Sequence, residues 1–190
     1  MKILALDLAS ATGFALGDGG AISAHGTFKL PSTGPDIGSF LADFREWLTG
    51  RVVEWEPELI AFEMPILPDT TAIHTLRKLY SLAGMTELIA RDHDTPVEES
   101  NLSDIRDHFI GATRAPRAIS CTPGCKTKGC NRCRTARRQW LKDRTIAACK
   151  DRGFRPQDDN AADAIALYSF VLSIVAPGVE LVSHETAEAA

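Results

Sequence analysis

The first 120 of the 190 residues contain no cysteine, tyrosine occurs only twice, and aromatic residues make up 7% of the chain. Five cysteines confined to positions 121 and beyond are not the framework of a disulfide miniprotein, whose bridges must tie the whole fold. Long hydrophobic runs are missing too. The run Ile3-Leu4-Ala5-Leu6 is broken by Asp7, so no signal peptide is expected, and the longest candidate span, 161–176, contains Asp163. Internal repeats and low-complexity tracts are absent. With 44% hydrophobic and 24% charged residues, the composition excludes a disordered or collagen-like chain and gives one domain enough apolar surface for a core. We expect a reducing, cytoplasmic setting, where clustered cysteines bind metal more often than they pair.

What is present is a concealed charge asymmetry. The net charge is −4, yet residues 113–155 hold 13 Lys and Arg against only Asp143 and Asp151, a net of +11 that leaves −15 on the rest of the chain. One region is therefore suited to a polyanionic partner.

The hydrophobic pattern predicts a mixed α/β order. Residues 2–8 read as a buried strand ending at an acid, 10–13 as a turn, and 14–17 with 21–30 as a hairpin around Gly17-Asp18-Gly19-Gly20. Ile37, Phe40, Leu41, Phe44, Trp47 and Leu48 mark a helix from Asp36 to Glu54. Residues 59–63 form a second strand with an acid at its end. A helix over 70–92 follows, with Ile73, Leu76, Leu79, Tyr80 and Ala83 on one face. A strand over 95–99, a helix over 104–110 capped by Ser103, a helix over 139–149 and a last helix from about Asp158 to Pro177 complete the chain.

Asp7 and Glu63 each close an apolar strand, and Asp163 lies within Ala161-Ala162-Asp163-Ala164-Ile165-Ala166. Carboxylates in such surroundings carry a desolvation cost unless they are paired or bind metal. Asp159 stands four residues before Asp163 and Asn160 three before, so either shares its helical face. Together these oxygen donors suit a hard divalent cation such as magnesium, and two such ions can serve a phosphodiester displacement. For any single acid the plainer reading also stands: Asp7 as a turn former, Asp158 or Asp159 as a cap, Asp163 as a solvated residue.

The segments Ile3-Leu-Ala-Leu-Asp7-Leu-Ala-Ser-Ala-Thr-Gly13-Phe-Ala15, Ile60-Ala-Phe-Glu63-Met-Pro65 and Asp159-Asn-Ala-Ala-Asp163-Ala-Ile-Ala166 resemble, in order and spacing, the three acidic motifs of RuvC-type Holliday junction resolvases of the ribonuclease H-like superfamily, common in phages. The resemblance runs over 2–112 and 137–175. It implies a ribonuclease H-like α/β fold, with antiparallel front strands, then parallel strands, flanked by helices. It also implies two magnesium ions on the catalytic carboxylates Asp7, Glu63, Asp159 and Asp163, a homodimer, and branched DNA cut at four-way junctions in a bacterial or phage-infected cytoplasm. Where the family has an acid or His three residues before its last Asp, this chain has Asn160. Asp159 is assigned as the fourth ligand, with Asn160 the alternative. Ser103 to Gly111 is similar to the stretch preceding the family's DNA-contacting region, which makes Arg106 a candidate phosphate contact beside the reading of a plain surface arginine. The apolar face of residues 73–88 is expected to form part of the dimer contact.

Cys121-x3-Cys125-x4-Cys130-x2-Cys133 suits one tetrahedral zinc, with Pro123, Gly124 and Gly129 turning the chain around it. Four thiolates leave no open position, so this zinc is structural. The resolvase pattern has no such element. It reads as an insertion over 113–138 in a nuclease domain spanning 1–176, ahead of a disordered tail over 177–190. The surrounding Lys126, Lys128, Arg132, Arg134, Arg137, Arg138 and Lys142 are candidate nucleic-acid contacts, or else solubilising charges. Trp140 reads as a core residue with base stacking the alternative, Cys149 as a small buried hydrophobe. The five histidines lack ligand spacing.

Three other readings compete with the resolvase. One is a related nuclease acting on other branched DNA or RNA. A catalytically weak zinc-knuckle nucleic-acid binder is a second, favoured by Asn160. The third is a sugar-kinase-like ATPase, suggested by Asp7 to Gly13 but opposed by the short chain and the lack of a second glycine-rich phosphate loop.

Overall fold

The computed structural model describes residues 1–65, 73–122, 124, 125, 127 and 129–183. Its strands are β1 (Lys2–Asp7), β2 (Ala11–Asp18), β3 (Ala21–Lys29), β4 (Leu59–Glu63), β5 (Val97–Ser100) and β6 (Val182–Ser183). They form one sheet in the order β5-β4-β1-β2-β3-β6. β1, β2 and β3 pair antiparallel, whereas β4 joins β1, β5 joins β4 and β6 joins β3 in parallel. The helices are α1 (Ile37–Trp55), α2 (Ile73–Asp92), α3 (Leu102–Ile110), α4 (Asn131–Asp151) and α5 (Asp159–Val175). This is the mixed sheet flanked by helices expected from the sequence, antiparallel at the front and then parallel, and the chain carries a cluster of four cysteines.

Strand alternation divides the core into two layers. Ile3 and Ala5 of β1, with Leu59 and Ala61 of β4, pack with α3, α4 and α5. Leu4, Leu6, Ile60 and Phe62 pack on the other face with α1 and α2. The same parity assigns Asp7, two residues beyond Ala5, and Glu63, two beyond Ala61, to the α5 side. α5 lies close to the sheet because its inner turns are alanines.

Two glycines set that closeness. A Cβ on Gly13 would lie 2.0 Å from the Asn160 carbonyl oxygen, and one on Gly17 would lie 2.5 Å from the Tyr168 hydroxyl, which donates to the Gly19 carbonyl at 2.7 Å. Gly13, expected in a turn, is therefore a strand residue paired with Asp7. In the hairpin it is Gly19, at φ 55°, that adopts the left-handed conformation.

Other boundaries also moved. α3 is capped by Asn101, whose side chain accepts from the Ser103 N–H at 2.8 Å, instead of by Ser103. α4 begins at Asn131, eight residues before the expected Gln139. On α2 the core face is Leu82, Ala83, Thr86, Ile89 and Ala90, so of the apolar face read from the sequence only Ala83 is buried, while Ile73 and Tyr80 are 61% and 46% exposed. Within the tail expected to be disordered, Val182–Ser183 pairs with Ala21–Ile22. Residues 184–190, Lys126 and Lys128 lie outside the described residues, as does the stretch 70–72 expected to begin α2. Among the described residues, no helix is long and apolar enough to cross a membrane.

Candidate active site

β1 and β4 run parallel and end side by side, with Leu6 opposite Phe62, so the next residues, Asp7 and Glu63, emerge at one edge of the sheet. Asp163 reaches the same place from the first turns of α5. Asp158 begins that helix, accepting from the Ala161 N–H at 3.0 Å and from the Thr27 hydroxyl at 2.6 Å. With Asp158 committed to capping, Asp159 is free to face the cleft region, where its carboxylate pairs with the Lys142 ammonium of α4.

The acids feel one another. Desolvation pushes Asp7 well above the usual carboxylate range, and the charges of Asp163, Glu63 and Asp159 push it further, with Lys142 opposing. Burial first, and Asp163 second, raise Glu63 to about 7, while Arg106 pulls it back. Asp163 rises to about 6 through burial, opposed by Arg106 and Lys142 and reinforced by Asp159. The structure thus brings Asp7, Glu63, Asp159 and Asp163 into one electrostatic unit with Arg106 and Lys142 beside it. A cleft of about 420 Å³ opens there, lined by Asp7, Leu8, Glu63, Met64, Arg106, Arg138, Leu141 and Lys142 among others.

Carboxylates whose ionisation is opposed first by desolvation and then by one another are relieved by a divalent cation, so the donor set fits a hard metal ion. The acids are nevertheless more loosely set than the cysteines. Among the described residues, only Cys121, Cys125, Cys130 and Cys133 bring three or more ligand atoms within 4.8 Å of one another.

The cysteine cluster sits at the start of α4. Cys130 is the N-cap and Cys133 lies on the first turn. The Cys121 N–H donates to Cys133 Sγ at 3.4 Å, and Cys121 Sγ lies 3.8 Å from Cys130 Sγ and 3.6 Å from Cys133 Sγ. Cys130 closes no cap hydrogen bond, yet the main-chain N–H of Cys133, more than any other group, favours its thiolate and brings it down to about 7. At Cys133 the Cys121 N–H lowers the pKa, but burial and the three neighbouring thiols together lift it to about 11. The closed tetrad fits a single soft or borderline metal, which binds its cysteines as thiolates.

Among the remaining candidates, Arg132, Arg134, Arg137 and Arg138 are exposed on the first turns of α4, and the Arg137 Nε donates to the Ile119 carbonyl at 3.1 Å. Trp140 is not part of either core cluster; it is half-buried, with the Arg144 guanidinium 5.8 Å from its ring. Cys149 is fully buried, as expected, and burial pushes its thiol up to about 12. Two residues were not singled out from the sequence. Gly13 admits the Asn160 main chain, and only tertiary proximity reveals it. Ser100, 2% exposed and paired in register with Glu63, buries a hydroxyl that has no hydrogen-bond partner among the described residues. An acid at one strand end beside a small polar residue at its neighbour's is the one signal that could have drawn attention to it.

No protein-family model matches the sequence, and no curated protein does. Solved structures do. The chain is similar to Thermus thermophilus RuvC in complex with a Holliday junction substrate, at TM-score 0.62 and 13% identity over 88% of this chain and 90% of that one. A second Thermus thermophilus RuvC structure gives TM-score 0.60 and 13% identity, covering 95% of this chain and 99% of that one. The yeast mitochondrial Holliday junction resolvase Ydc2 gives TM-score 0.52 and 13% identity, covering 90% of this chain and 77% of that one. The fold of the chain is that of RuvC.

Proposed function

We infer that the protein is a metal-dependent endonuclease that nicks four-way DNA junctions. The observation that carries this reading is the set of three half-buried carboxylates with raised pKa values, Asp7, Glu63 and Asp163, where two parallel strands and α5 meet. The fold shared with a protein seen on a Holliday junction supports the substrate class.

In this reading Asp7, Glu63, Asp159 and Asp163 hold two magnesium ions. When bound, the ions supply a polarised water and charge neutralisation at the phosphate. Arg106, already placed against Glu63 and Asp163, and Lys142, paired with Asp159, keep the metal-free cluster from repelling itself. When ions neutralise the acids, these cations become available to phosphate oxygens, which is where positioning and charge complementarity act in phosphoryl transfer. Arg132, Arg134, Arg137 and Arg138, with Lys126 and Lys128, contact the backbone of the DNA arms, and the cysteines hold zinc. A homodimer gives the two active sites that symmetric nicks need; the exposed Ile73, Tyr80 and Leu88 of α2 form part of its contact. Cytoplasmic DNA is the setting that suits reduced thiols.

The test is incubation with a labelled four-way junction, a flap and a plain duplex in magnesium, alongside Asp7→Asn and Asp163→Asn. Paired symmetric nicks in the junction, lost in both variants, are expected. Binding without cleavage by the unmodified protein overturns the reading, and preference for the flap replaces the substrate.

A further inference from the structure

α4 is anchored differently along its length. From Leu141 on, it buries one residue every four, Leu141, Thr145 and Cys149, as it packs against α5 and α3. Its first ten residues, 131–140, bury only Cys133. A polar segment with one buried side chain gains little from packing, so it is held by propagation from 141–151 and by whatever anchors its N-terminus. Its N-terminus has neither an acidic residue in the first turn nor a cap hydrogen bond from Cys130. The available anchors are the Arg137 contact to Ile119 and the four cysteine sulfurs gathered within 4.8 Å around Cys130 and Cys133. A zinc ion on four thiolates carries a formal charge of about −2. Placed at a helix N-terminus it meets the unpaired N–H groups and the positive end of the dipole.

This weakly packed half of the helix contributes to the cleft. Arg138 lies five residues after Cys133 and three before Leu141, and it lines the cleft with Asp7 and Glu63. We propose that zinc at Cys121, Cys125, Cys130 and Cys133 fixes the first turns of α4 and thereby holds Arg138 against the phosphate to be cut. The metal centre is a positioning device for cleavage as well as a surface for DNA arms. This rests on the nuclease reading above.

The experiment uses the full chain as purified, the same chain stripped of metal with a chelator and reloaded with Zn²⁺, and the variants Cys130→Ser, Arg138→Gln and their double. Metal analysis should give about one zinc per chain, lost in Cys130→Ser. Single-turnover cleavage of saturating four-way junction should fall by about 10²-fold in the stripped protein, as misplacing a group by about 1 Å can do. Zn²⁺ should restore it, which separates the effect from misfolding of a variant. Arg138→Gln should fall similarly, and the double variant should be no worse than either single one, because both changes remove the same contact. Full single-turnover rate without zinc, or effects that multiply in the double variant, overturns the proposal. Failure of the unmodified chain to cut any junction defeats the nuclease reading instead. In that case amide exchange still decides the zinc claim: protection over 134–140 must drop on zinc removal while that over 145–149 stays, and unchanged protection over 134–140 overturns it.

Discussion

One group of cleft residues is positioned by hydrophobic packing and another by a small polar helix start. Asp7, Glu63 and Asp163 extend from β1, β4 and α5, whose neighbouring residues Ala5, Leu6, Ala61, Phe62, Ala162 and Ala164 are fully buried. Arg138 extends from a stretch of α4 in which only Cys133 is buried. The acids can be held in unfavourable ionisation because packing around them fixes the backbone. The cation, which gains nothing from burial, is carried on a part of the chain that needs another anchor. The sheet and α5 thus supply the site's negative charge, and the first turns of α4 supply part of what faces it.

The largest effect that would break this contrast is loss of an acid. Asp7→Asn should reduce junction cleavage by at least about 10³-fold, on the scale of removing a key electrostatic group, while binding to the junction persists. Retained cleavage would show that the packed group is not the chemical one.

Next comes the approach of α5 to the sheet. Gly13→Ala places a Cβ 2.0 Å from the Asn160 carbonyl oxygen, a main-chain atom that can move only with the start of α5. A loss of about 3 kcal/mol in denaturant unfolding is expected, with cleavage falling as Asp163 shifts. Gly84→Ala in α2, where a Cβ meets nothing within 4 Å, should instead stabilise by about 0.5–1 kcal/mol. Equal effects at the two glycines would refute the close-approach argument.

These cases also mark how far the sequence was legible. Asp7 and Glu63 stood out because an acid ending an apolar strand is a local anomaly, and Asp163 because alanines surround it. Gly13 did not, because its neighbour Asn160 is 147 positions away and only the folded chain brings them together. The start of α4 was missed for a different reason. Residues 131–140 bury one side chain, so they carry no hydrophobic period to read. On α2 the apolar face read from the sequence and the buried face share only Ala83, because the core also takes Leu82, Thr86, Ile89 and Ala90 and leaves Ile73 and Tyr80 exposed. Asp158 and Asp159 were separable only once the Thr27 hydroxyl was seen to bind the former.

The acids also predict a pH dependence opposite in sign to that of Cys130 in the cysteine centre, whose thiol is held down at about 7. Glu63 and Asp163 titrate at about 7 and about 6 in the folded protein, above the ordinary carboxylate range. The native state therefore binds more protons than the unfolded state between about pH 4 and 7, and stability falls as pH rises through that window. In metal-free buffer the melting temperature should drop by several degrees from pH 5 to pH 8, and magnesium should recover most of the loss at pH 8. Cleavage should rise over the same range, because the ionised acids are the ones that hold metal. A melting temperature that climbs with pH would mean that the carboxylates are paired with cations more strongly than they repel one another.

The smallest effect concerns Ser100, whose buried hydroxyl, next to Glu63 in the sheet register, has no partner among the described residues. An unsatisfied buried hydroxyl carries a desolvation cost of about 1–3 kcal/mol, so its removal in Ser100→Ala should leave stability unchanged or raise it by about 1 kcal/mol in the metal-free protein. The comparison is sharpened by repeating the measurement in magnesium. If Ser100→Ala is neutral in both, packing alone accounts for the residue and the acids need no help from β5. If it is stabilising without metal and destabilising with it, the hydroxyl finds its partner only when Glu63 is fully ionised. The group of residues set by packing would then also depend on the ion it holds, and the difference between the two sides of the cleft would be one of degree.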